Sequence, residues 1–265
     1  MKSTFVFLLL LAFSPMCESL RGAASAPQPL QTFPVDVNEK SLRLRDAAFT
    51  PDGRLLIARG RSHVLVWDLE RNEQRYDLPY WGASYYFYGL AISPDSSRLL
   101  LGLTGGDATG VAALVDLHTG QEITQWDAHH EDLLPHSYFH HHGYLRSCGF
   151  SSNGRRVITC GNDEETKIWD LDTIEQVHSF PSAPIADTAF APDGQYVFIG
   201  LELWRIGEEK PVRVFEPYYE KVQELAFSPD GLHVAAGTQL ENEFGVALWK
   251  IESGKLIRTY TADAG

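Results

Sequence analysis

Six of the ten histidines in this 265-residue chain fall within residues 129–142, beside Glu131 and Asp132. Imidazole nitrogen and carboxylate oxygen both ligate zinc, copper or nickel. His129, His130, His136 and His140 are therefore the side chains that could hold a metal, and a metal-binding or metal-dependent enzyme using this loop is one reading. The plainer reading is a solvated polar loop, because ligand types in a row do not by themselves set a tetrahedral site. The plainer reading is preferred, and no cofactor is expected. A nucleophile elbow, a phosphate loop and a His-Glu-x-x-His pair are all missing from the sequence.

A second cluster is aromatic. Tyr80, Trp81, Tyr85, Tyr86 and Tyr88 crowd one short stretch, and Tyr138 and the Tyr218-Tyr219 pair mark two others. Tyrosine and tryptophan bring large contact area at small entropic cost, which favours them where proteins bind proteins. Packing along the edges of strands is the alternative use of such residues. The formal net charge of −13 argues against a nucleic-acid partner, since an acidic surface repels phosphate.

The elements that would carry these residues are strands joined by tight turns. Five similar turns recur: Thr50-Pro51-Asp52-Gly53, Ser93-Pro94-Asp95-Ser96, Ser151-Ser152-Asn153-Gly154, Ala191-Pro192-Asp193-Gly194 and Ser228-Pro229-Asp230-Gly231. Proline presets φ, Asp or Asn closes an Asx turn, and glycine accepts a positive φ. Each turn lies between apolar alternating runs, so each reads as a β-hairpin. A third strand follows each hairpin and ends at Trp67-Asp68, Val115-Asp116, Trp169-Asp170, Trp204-Arg205 or Trp249-Lys250. A fourth strand follows a charged turn, over 74–80, 121–127, 175–181, 210–217 and 255–261. Four strands per unit, repeated at about 40–45 residues, is the period of a propeller blade.

The runs Phe150-Ser151-Ser152-Asn153-Gly154 to Lys167-Ile168-Trp169-Asp170 and Leu225-Ala226-Phe227-Ser228-Pro229-Asp230-Gly231 to Leu248-Trp249 resemble WD repeats. The resemblance spans about residues 40–262, and the chain resembles exported bacterial WD-repeat proteins. It implies an all-β propeller of five recognisable four-stranded blades. It also implies a non-catalytic scaffold with a protein partner of unknown identity. The family pattern includes a hydrogen-bonded tetrad, and by position the third unit would supply it from His141, Thr159, Asp163 and Trp169. Five inner triplets accompany six outer strands once the extended segment 30–37 is counted. Two readings follow: a small or open array, or an incomplete ring, and the second is favoured.

Residues 1–26 read as a signal peptide. Lys2 precedes the apolar run 5–13, which is too short to span a bilayer, and Ala24-Ser25-Ala26 offers a cleavage site. A secreted or periplasmic protein with no transmembrane segment after leader removal is expected. The organisation is then leader 1–26, extended segment and first strand 27–46, and propeller 47–265. Cys17 leaves with the leader. Cys148 and Cys160 lie on adjacent strands of one hairpin, where a direct disulfide is geometrically awkward, so two buried free thiols are expected.

Overall fold

The structure, a computed structural model, describes residues 46–60, 63–79, 86–104, 109–129, 144–182, 187–216, 221–240 and 243–261. All of them belong to one compact unit, Glu39–Gly265. The other unit, Met1–Asn38, lies outside the described residues, and with it the leader and the segment 30–37.

The unit consists of five four-stranded antiparallel sheets, each ordered as its strands follow in the chain. Blade one holds β1 (Asp46–Phe49), β2 (Leu55–Arg59), β3 (His63–Asp68) and β4 (Glu73–Pro79). Blade two holds β5 (Tyr86–Ile92), β6 (Arg98–Thr104), β7 (Gly110–Asp116) and β8 (Glu122–His129). Blade three holds β9 (Leu145–Phe150), β10 (Arg156–Gly161), β11 (Glu165–Asp170) and β12 (Glu175–Pro181). Blade four holds β13 (Thr188–Phe190), β14 (Tyr196–Ile199), β15 (Glu202–Arg205) and β16 (Arg213–Val214). Blade five holds β17 (Lys221–Phe227), β18 (His233–Leu240), β19 (Glu243–Lys250) and β20 (Leu256–Thr261). Together they form a five-bladed propeller. No helix among the described residues is long and apolar enough to cross a membrane.

The five hairpin turns form as their residues dictate. In each, the fourth residue donates its N–H to the first residue's carbonyl, at 2.8 Å in Gly53 to Thr50 and 2.9 Å in Gly194 to Ala191. The third residue's Oδ1 accepts an amide two residues on: Arg54 at Asp52, Ser97 at Asp95, Arg155 at Asn153, Gln195 at Asp193 and Leu232 at Asp230. Blade two places Ser96 at φ 62 where the other blades have glycine. Its hydroxyl compensates by accepting the Asp52 amide of blade one at 3.1 Å.

The turn between third and fourth strands repeats too, and here one blade departs from the rule. Gly120 and Gly254 adopt φ 71 and 69, and Asn72 adopts φ 55. Blade three has Ile174 at φ 56, with its N–H on the Asp170 carbonyl at 2.8 Å. A left-handed conformation costs an L-residue about 1–2 kcal/mol, and a β-branched side chain is the worst case. Ile174→Asn, copying blade one, should stabilise the protein by about 0.5–1 kcal/mol after the loss of some apolar burial. Thermal melting should show a midpoint raised by roughly 1–4 °C, and a lowered midpoint would show that the isoleucine's packing outweighs its backbone strain.

Because side chains alternate across a strand, each blade presents one apolar set to the blade before it and another to the blade after. Leu99, Leu101, Val111 and Val115 of blade two pack with Ile57, Val64 and Val66 of blade one. The intervening Leu100, Ala112 and Leu114 pack with Leu145, Val157 and Trp169 of blade three. Ile158, Ile168 and Phe180 meet Val197 and Trp204, and Phe198 and Phe215 meet Val234 and Trp249. Being covered on both faces explains why β6 and β7 read as continuous apolar runs. Blade four is the exception in size. Only Gly200 and Leu201 link β14 to β15, and the outer strand expected over 210–217 contracts to Arg213–Val214. Pro211, which has no N–H to donate, sits where that strand would have begun.

Candidate functional site

The most connected polar group lies at the seam of blades two and three. His129, the last residue of β8, is fully buried. Its Nδ1 lies 2.8 and 2.9 Å from the two Asp163 carboxylate oxygens, and its Nε2 lies 2.8 Å from Thr159 Oγ1. Trp169 Nε1 donates to the same hydroxyl at 2.9 Å. One pattern of protons satisfies every group: Trp169 donates to Thr159, Thr159 to His129 Nε2, and His129 Nδ1–H to Asp163. Lys167 Nζ closes the rim, 3.0 Å from Asp163 Oδ2 and 3.2 Å from the Ala128 carbonyl.

The electrostatics follow from this geometry. Burial works against the Asp163 carboxylate, but the His129 and Lys167 hydrogen bonds and charges outweigh it, so its pKa is lowered. Burial also works against the Lys167 ammonium, yet Asp163 and Glu165 raise its pKa. Gly161 is required beside them, since a Cβ there would sit 2.5 Å from the His129 ring.

The histidine of this network is therefore His129 and not His141, which lies outside the described residues. Thr159, Asp163 and Trp169 occupy the positions expected of them. His141 stands four residues before β9 in the sequence, whereas His129 ends the preceding blade's outer strand. His129 also leaves the metal-ligand set, because both its ring nitrogens are engaged and no solvent reaches it. His130, His136 and His140 lie outside the described residues, as do Tyr80, Trp81, Tyr85, Tyr138, Tyr218 and Tyr219. Tyr86 and Tyr88 belong to β5, but their side chains are outside the described set. Among the described residues, no three His, Cys, Asp or Glu side chains cluster as metal ligands do.

Sequence reasoning missed Asp187, which precedes β13. Its Oδ1 accepts the Ser147 hydroxyl of blade three and, at 2.9 Å, the Thr188 amide. Its Oδ2 accepts the Leu225 amide of blade five at 2.8 Å. One carboxylate thus ties three blades together. Next to Leu225, Glu224 adopts φ 53, and burial raises its pKa, with Asp46 and Asp187 adding to the shift and Arg59 opposing it. No local motif marks Asp187; it is one acidic residue among the thirty-five of the chain.

Several other carboxylates of the frame hold turns together. Asp68 accepts the Glu70 and Arg71 amides, Asp116 those of His118 and Thr119, and Asp170 that of Asp172. The Ser93 and Ser97 hydroxyls hold Asp95 down to about 2, and the Thr50 hydroxyl lowers Asp52. A carboxylate whose folded pKa lies below its unfolded value adds stability that is present above about pH 4 and lost as pH falls through the folded value. The melting midpoint should therefore drop as pH is lowered from about 4 to 2. Asp95→Asn, for which Asn153 is the internal precedent, should flatten the lower part of that drop. An unchanged profile would show that Asp95 carries none of it.

Both thiols are free. Cys148 pairs with Thr159 and Cys160 with Ser147, so the two cysteines are one residue out of register and point to opposite faces of the sheet. Burial pushes the Cys148 thiol up to about 12 and raises that of Cys160, which keeps both protonated at neutral pH.

Blades, turns and buried network together define a β-propeller assembled from repeats of one kind. Residues 134–170 match the family model described as WD domain, G-beta repeat. Over 182 residues the chain is 31% identical to Protein groucho of Drosophila melanogaster, an alignment covering 66% of this chain and 22% of that protein. The chain thus spans about a fifth of that relative's length. In fold it is similar to Kuenenia stuttgartiensis hydrazine synthase, with a TM-score of 0.65, 14% identity, and coverage of 85% of this chain and 70% of the other. That likeness concerns the fold alone. Residues 134–170 thus match a WD repeat, within a β-propeller of five four-stranded blades.

Proposed function

We propose that this chain is a non-catalytic scaffold that binds another protein, and that it works outside the cytoplasm after removal of residues 1–26. WD-repeat propellers bind protein partners, and the strand topology supports the same use here. Every blade runs its first and third strands one way and its second and fourth the other. The connections from one blade to the next, at 80–85, 130–144, 182–187 and 215–220, therefore all leave from one end, while the tight turns occupy the opposite end. In the sequence these connections contain Tyr80, Trp81, Tyr85, Tyr138, Tyr218 and Tyr219, residue types suited to binding another protein. The frame's own polar residues are committed to turns and to the buried network, so they support the fold more than any reaction.

The test is cross-linking capture with the full chain in its native compartment, comparing the wild type with a Tyr85→Ser, Tyr138→Ser, Tyr219→Ser variant. The expected result is a small set of captured proteins lost with the variant while its melting curve is unchanged. Capture that the variant leaves intact would reject this end as the binding face. Sequencing the N-terminus of the mature protein tests export, with a new terminus near residue 27 expected and an intact Met1 contradicting it.

A further inference from the structure

The seam between blades four and five differs from the seam between blades one and two in how its outer part is filled. In the latter, Tyr76 of β4 pairs with Val66, lays its ring against Gly120 and donates its hydroxyl to the Leu117 carbonyl. The corresponding residue of blade four is Arg213, which pairs with Leu203 and lies over Gly254, the counterpart of Gly120. A flexible cation replaces a rigid ring, and the outer strand carrying it is only two residues long. A cavity of about 420 Å³ remains beside it. Its walls are Tyr196, Leu203, Val212, Phe227 and Ile251.

Arg213 lines the cavity too, but negative charge predominates at its mouth. Asp193 and Asp230, on the hairpin turns of blades four and five, both line the cavity. Among the described residues, each accepts hydrogen bonds from groups of its own turn, and the charge of His233 helps to lower the Asp230 pKa. Glu252 also lines the cavity, but Lys250 pairs with it at 2.8 Å. Asp193 and Asp230 outnumber the one lining cation, Arg213, so this aromatic and aliphatic wall complements a further cation on an apolar stem, whose stem buries against the wall while the head meets the charge. Beside the cavity, Val212 and Val214 stand 47% and 58% exposed, and among the described residues β16 pairs with β15 alone. An extended peptide could therefore lie along that strand edge.

We propose that the cleft between blades four and five is a second docking site, at the turn end of the propeller, for a peptide segment of a partner protein carrying Arg or Lys between apolar residues. The basic side chain enters between Asp193 and Asp230 with its stem on Tyr196 and Phe227, and the flanking apolar residues cover Val212 and Val214. The chain's own net charge of −13 favours approach of a basic segment.

The experiment is an NMR titration of the full chain with the peptide acetyl-Gly-Leu-Arg-Leu-Gly-amide and with its citrulline analogue, which keeps the shape and removes the charge. The expected result is saturable shifts confined to the cleft residues, weakened about tenfold by citrulline and by about 0.5 M salt. An Asp193→Asn, Asp230→Asn variant should lose about as much. Its turns are kept, since Asn153 closes the same turn in blade three. The site is rejected if cleft resonances do not move at millimolar peptide. It is also rejected if citrulline binds equally, which would leave only an apolar groove, or if the variant binds as the wild type does. Sedimentation showing that a second copy of the chain covers the cleft would overturn it as well.

Discussion

Replacing Thr159 with Val should lower stability by about 2–5 kcal/mol, the largest effect expected of any near-isosteric substitution in this chain. The shapes nearly match, so no cavity opens. What disappears is one oxygen that accepts from Trp169 Nε1 and donates to His129 Nε2. Both ring nitrogens lie where water does not reach, and each unsatisfied buried polar group costs about 1–3 kcal/mol. The midpoint of thermal unfolding should fall by roughly 5–15 °C. Thr159→Ser, which keeps the hydroxyl, should recover most of the loss. If Ser and Val are equally destabilising, the methyl and not the hydroxyl matters, and the network carries no weight.

The second large effect is expected at the seam of blades four and five. Trp249 is fully buried, meets Phe215 edge-on at a centroid distance of 6.4 Å and donates Nε1 to the Glu216 carbonyl at 3.0 Å. Trp249→Ala should cost about 3–5 kcal/mol, from lost transfer energy and a cavity that the sheets cannot close. Repeats stabilise one another through nearest-neighbour contacts, so the damage should be local. Hydrogen exchange should accelerate in β14–β20, while β6 and β7 of blade two keep their protection. Uniform acceleration across the five blades would show instead that the propeller unfolds as a single cooperative unit.

The two sites differ in how much of them could be read from the residues alone. Thr159, Asp163 and Trp169 follow one another within one hairpin and third strand, and their short spacing fixes which of them can meet. Their partner His129 lies thirty residues from Thr159, beyond a connection of unspecified path. Six histidines lie within residues 129–142, just before β9, and spacing does not choose among them. Burial identifies His129, which stands at the end of a paired strand and is fully buried. The same holds for Asp187, whose value comes from two neighbouring blades that the sequence does not reveal as neighbours of that atom.

The sequence by itself determined the hairpins, the turns, the number of blades and the alternation of apolar faces. These depend on φ preferences, Asx hydrogen bonds and a period of two, all settled within a few residues. The tertiary structure alone decided which histidine staples blades two and three, and that Cys148 and Cys160 face opposite ways. It alone reduced blade four's outer strand to two residues and left a cleft beside Arg213. Each of these depends on what one blade presents to the next. Contact across a seam is set by packing between segments far apart in the chain, and no local spacing encodes it.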